Sequence, residues 1–137
     1  MMSINTENFN LKKMIADYMD SGFLDNIVDM FKHDKNLYAY IGELMSDKRI
    51  MVRIGVSALL ETLQKEDSYN ISRAIPSIIP FLEDQNPMLR GDAAHLLGII
   101  GHPDAIPFLK NSLKDENALV SAIAKEALEE IDSKLSP

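Results

Sequence analysis

The chain has 137 residues, 46% of them apolar, and a formal net charge of -7. That length predicts one domain, and that apolar share suffices for a continuous core, which argues against disorder. The charge argues against a phosphate-backbone partner, which needs clustered Lys and Arg to displace counterions, and the absence of cysteine excludes disulfides, thiolate zinc sites and cysteine nucleophiles.

The opening stretch, "MMSINTENFNLKK", lacks the basic-then-apolar layout of a secretion signal, and no apolar run approaches the roughly 18 residues that span a bilayer. A cytoplasmic protein without membrane or nucleic-acid contact is the expectation. Leu11, Met14, Ile15 and Tyr18, then Phe23, Ile27, Met30 and Phe31, recur at helical spacing and predict two helices. Residues 1–34 are expected to form an irregular capping hairpin, and residues 35–137 a repeat array within the same domain.

From residue 35 onward the sequence repeats. Asp84 moves onto Asp115 with a shift of 31 residues and onto Asp47 with a backward shift of 37. Around these anchors the apolar columns agree: Ile41, Ile78 and Leu109; Met45, Leu82 and Leu113; Val52, Leu89 and Val120; Leu60, Leu97 and Leu128; Leu63, Ile100 and Ile131. Helical spacing on both sides of each aspartate makes every copy a helical hairpin. The extra residues of the first interval fall in "QKEDSYN", residues 64 to 70, as a longer turn or an extended helix end. Asn86 and Pro87 read as an N-cap and first helical residue, Asn117 takes the matching place, and Gly101, His102 and Pro103 close one helix and open another.

Pro76, Asp84 and Arg90, with Pro107 and Asp115 in the next copy and Asp47 and Arg53 in the previous one, resemble the HEAT-repeat pattern, especially its short PBS-lyase-like subclass. Ala39 and Ser121 depart from it. The resemblance covers about residues 35 to 135 and implies an all-α fold: a right-handed α-α superhelix of about four helical hairpins. Each aspartate is placed to accept backbone N–H groups at the start of the second helix, where the dipole favours a negative charge. Arg53 and Arg90 lie within reach of an aspartate of their own or a neighbouring copy, and a proline inside the first helix should bend it.

In such a stack the second helices line the concave face. The positions there outside the core columns are Ile54, Ala58, Glu61 and Thr62; Gly91, His95, Gly98 and Ile99; Ala122, Glu126, Glu129 and Glu130. Ile54, Ala58, Glu61, Gly91, His95, Gly98, Glu126 and Glu129 are the candidates for partner contact. Gly91 and Gly98 each cost roughly 1 kcal/mol relative to alanine in a helix, which points either to close approach of a partner or to packing between hairpins. An exposed row of Ile54, Ile99 and Ile123 would favour binding, and the glutamates predict a basic or amphipathic protein segment as the partner.

Chemistry finds little support. His95 and His102 lie about 10 Å apart along a helix, too far to share one metal. The HEAT-like iron hydroxylases use His-Glu dipeptides, whereas His33, His95 and His102 precede Asp34, Leu96 and Pro103. The HEAT-like proteins that act on alkylated DNA use aromatic and basic groove residues, and the groove here is acidic. The expectation is therefore a non-catalytic protein-binding scaffold without a cofactor. The alternative is an accessory subunit of a protein-modifying, lyase-like enzyme, and the third reading is catalysis at a groove metal held by His95 and Glu126.

Overall fold

The computed structural model describes residues 2–136, with side chains from residue 11 onward. The chain runs as α1 (Met2–Asp20), α2 (Leu24–His33), α3 (Ile41–Met45), α4 (Ile50–Glu66), α5 (Ile75–Ile78), α6 (Pro87–Ile100), α7 (Ile106–Ser112) and α8 (Ala118–Leu135), with no strand among the described residues. Every helix in the repeat region that follows an aspartate is long; every one that precedes it is broken. The short helices are flanked by 3-10 turns at Lys35–Tyr40, Ile71–Ala74, Ile79–Glu83 and Pro103–Ala105.

Proline explains much of that asymmetry. Pro76, Pro80 and Pro107 sit in the first two positions of α5, of the turn Ile79–Glu83 and of α7. A missing N–H does no harm there, while further along it would leave a carbonyl unpaired. The first helix is thus restarted at each proline, where a bend had been expected. The first copy starts with a 3-10 turn as well, although Ala39 replaces the proline.

Two of the second helices, α6 and α8, begin with side-chain caps, while α4 has none. Oδ1 of Asn86 accepts from the N–H of Met88 at 2.9 Å, and Oδ1 of Asn117 accepts from those of Leu119 and Val120 at 3.0 and 3.2 Å. Gly101, with φ of +72°, closes α6 in the left-handed conformation that an L side chain avoids. His102 Nδ1 then accepts from the N–H of Asp104 at 3.0 Å and starts the next turn.

One core runs from Ile15 in α1 to Ile131 in α8. Ile41, Ile78 and Leu109 are fully buried, as are Val52, Leu60, Leu63 and Leu97. The columns fail in the last copy: Leu128 is only half-buried, and Leu113 is 42% exposed where Met45 and Leu82 are buried. Met45 and Leu82 each have a following hairpin beside them, and no described element covers Leu113. At the other end α1 and α2 both lie against α4. Arg49, just before α4, donates through Nη1 to Asp17 at 2.8 Å, and Lys32 pairs with Glu66 at 2.9 Å. Residues 64 to 70 are shared between the two forms expected of them, since α4 runs to Glu66 and a turn follows.

Candidate partner-binding face

At the head of every second helix the aspartate makes the same contact. Oδ1 of Asp47, Asp84 and Asp115 accepts the N–H two residues on, at 2.8, 2.8 and 2.9 Å. One turn later the arginine folds back: Nη1 of Arg53 donates to the carbonyls of Asp47 and Lys48, and Nη1 of Arg90 to those of Asp84 and Gln85. Arg90 also reaches into the next copy, where Nε and Nη2 hold the Asp115 carboxylate at 2.8 and 3.0 Å. This two-pronged bond, first among the causes, keeps the Asp115 carboxyl below its ordinary value.

Helices α6 and α8 meet along a seam of small residues. A Cβ on Gly98 would stand 2.9 Å from Cβ and 3.0 Å from Cα of Ala127, and one on Gly91 would stand 3.2 Å from Cδ1 of Ile123. Both glycines are buried. The place of Gly98 in the candidate set therefore needs correction, because it lets α8 approach and meets Ala127, whereas Gly91 also lines the groove between α6 and α8. Ile54, Glu61, His95, Glu126 and Glu129 are exposed and Ala58 is half-buried.

The row of Ile54, Ile99 and Ile123 does not form, because Ile99 is buried and Ile123 half-buried. A different apolar row takes its place. Met51, Met88 and Leu119 occupy one repeat column and are 51%, 52% and 70% exposed. Ile50 and Ile54 are exposed beside them on α4. Two shallow grooves follow this row: one of about 230 Å³ between α4 and α6, lined in part by Ile50, Ile54 and Met88, and one of about 270 Å³ between α6 and α8, lined in part by Met88, Leu119 and Ile123. Met88 belongs to both, so the apolar surface is continuous. The signal was present in the repeat alignment, but an apolar column reads as core unless the phase of its neighbours is followed: Val52 takes the buried position, which turns Ile50 and Met51 outward.

Toward the other end of the same helices the surface turns polar. A groove of about 260 Å³ is lined by Glu61, Lys65, His95, Ile99, Glu130 and Lys134, among others. The acidic edge expected there is offset: Glu61 and Glu130 alternate with Lys65 and Lys134, and Lys134 Nζ lies 4.0 Å from Glu130 and 3.4 Å from the carbonyl of Gly98. Glu126 and Glu129 stand outside this lining on α8. In the α4/α6 groove, burial pushes the Asp92 carboxyl above its ordinary value, while the charges of Arg53 and His95 pull it back. Among the described residues no group of three His, Asp or Glu side chains is placed to hold a metal ion, and no helix is long and apolar enough to cross a membrane.

Comparison with curated proteins returns no match. The family model for HEAT repeats, modules that generally mediate protein–protein interaction, matches residues 39–129. That stretch contains the three aspartates, both arginines and most of each second helix, and on this match over most of its length the chain belongs to the HEAT-repeat family.

Proposed function

We propose that this protein is a non-catalytic adaptor that holds an amphipathic segment of another protein along the face formed by α4, α6 and α8. The observation that carries this reading is the exposed apolar column of Met51, Met88 and Leu119, joined by Ile50 and Ile54. A repeat protein gains nothing in stability from a methyl thioether or leucine facing water at the same place in three copies, and contiguous apolar surface of this kind commonly marks a binding site. Methionine suits a face that adapts to its ligand, being unbranched and polarizable. A segment with apolar residues on one side would fill the two grooves, and basic residues on its other side would meet Glu126 and Glu129.

The test is affinity capture from native lysate followed by mass spectrometry, with three forms of the full chain. Wild type and the Glu126→Lys, Glu129→Lys double variant should retain the same protein, the double variant more weakly. Met88→Asp with Leu119→Asp should lose it while unfolding at the temperature of the wild type, because both positions are exposed. Retention by the Met88, Leu119 variant at wild-type level would remove the apolar row from the reading.

A further inference from the structure

Arg53 and Arg90 hold the same repeat position and use half of their guanidinium identically, Nη1 bonding two carbonyls at 2.8 and 3.2 Å in one and 2.9 and 3.2 Å in the other. The other half differs. In Arg90, Nε and Nη2 are closed by the carboxylate of Asp115. The counterpart of Asp115 for Arg53 is Asp84, but the interval to it is six residues longer, and no carboxylate of the described residues comes within ion-pair distance of Arg53. Nε and Nη2 of Arg53 have no acceptor among the described residues, and Arg53 belongs to the wall of the α4/α6 groove, beside Ile50, Ile54, Met88 and Asp92.

Two parallel N–H donors on a planar, permanently charged group make a receptor for a carboxylate. The Arg90–Asp115 pair shows what fills that receptor in this fold. We propose that the α4/α6 groove receives an acidic side chain of the partner segment, an aspartate or glutamate flanked by an apolar residue, which takes on Arg53 the place that Asp115 takes on Arg90. Asp92, across the groove on α6, has no hydrogen-bond donor from the described residues, and burial raises its carboxyl above the ordinary value. A second carboxylate entering beside it pushes the Asp92 carboxyl further in the same direction, which lessens the repulsion between the two. The inference rests on the reading of this face as a docking surface and adds a charge requirement to it.

The experiment uses the full chain, labelled to follow arginine Nε–H and methionine methyl resonances, titrated with three tripeptides. They are a doubly capped leucine-glutamate-leucine, its glutamine counterpart, and the glutamine peptide with a free carboxyl terminus. The glutamate peptide should move the Arg53 Nε–H and Met88 methyl signals, leave Arg90 in place, and bind about tenfold more tightly than the capped glutamine peptide, as a charge-assisted two-pronged bond implies. Arg53→Lys, which keeps the charge but not the fork, should lose most of that preference. Equal binding of the capped glutamate and glutamine peptides, tighter binding of the free terminus, or an undiminished preference in Arg53→Lys would each overturn the assignment. So would a shift of the Arg53 signal on Asp84→Asn without peptide, since the edge would then be filled already. Failure here is separate from failure of the docking reading: capture that survives Met88→Asp with Leu119→Asp removes the surface, whereas lost capture with indifferent tripeptides removes the role of Arg53 alone.

Discussion

Tyr38 shows how a single side chain secures the insertion of the first repeat. Its ring is fully buried and meets Phe31 edge-on at 5.2 Å, and its hydroxyl donates to Oδ2 of Asp67 at 2.8 Å, while Asn70 donates to the other oxygen at 3.0 Å. Burial, and then the adjacent carboxylate, raise the Tyr38 pKa well above its ordinary value of 10.0. Below that value tyrosine is neutral in both the folded and the unfolded chain; above it the unfolded chain releases a proton that the folded chain keeps. Stability should therefore fall as pH rises past about 10. Tyr38→Phe should cost about 1–2 kcal/mol at neutral pH, from the lost bond and the exposed need of Asp67, and should flatten the alkaline decline. Urea unfolding at neutral and alkaline pH measures both. A neutral-pH loss without any change in the alkaline slope would contradict the hydroxyl's role.

Between elements, α6 and α8 approach closely, and glycine allows it. Alanine is the better helix former by roughly 1 kcal/mol, yet Gly98→Ala should lower stability by about 1–3 kcal/mol, because its Cβ would press on the Cα and Cβ of Ala127 and force the helices apart. Adding Ala127→Gly should restore part of the loss in thermal unfolding, which a mere propensity effect would not. Gly91 faces the end of the flexible Ile123 side chain at 3.2 Å and Val120 Cγ2 at an ordinary 4.0 Å, so the same substitution there should be milder. Periodicity predicted all the long helices and the stack of hairpins. It missed the division of the first helices into 3-10 and α segments, since the apolar spacing is the same for a bent helix and a restarted one.

For the whole molecule the net charge of -7 is a poor guide to the groove. Lys65 and Lys134 offset Glu61 and Glu130 within the polar groove, and Arg53 faces Asp92 in the apolar one. If the apolar row dominates, the dissociation constant of the captured partner should change by no more than about threefold between low salt and ~0.5 M, where screening confines charge effects to near contact. A steep salt dependence would instead give the leading part to charge, at Glu126 and Glu129 or at Arg53.

The repeat, the aspartate caps and the polarity of the chain's charge were determined by the sequence itself, because each depends on neighbours a few residues away: a hydrophobic period, a carboxylate two residues before an N–H, a proline that needs the start of a helix. The face of the molecule was not. Whether Gly98 meets a partner or Ala127, whether Leu113 is covered, whether Arg53 finds Asp84 as Arg90 finds Asp115, and whether a lysine stands among the groove glutamates all depend on how residues 25 or more positions apart are brought together. Local spacing carries no information about how closely two hairpins pack, and that closeness, through the size of two side chains at one seam and an insertion at another, decided which residues are left to act.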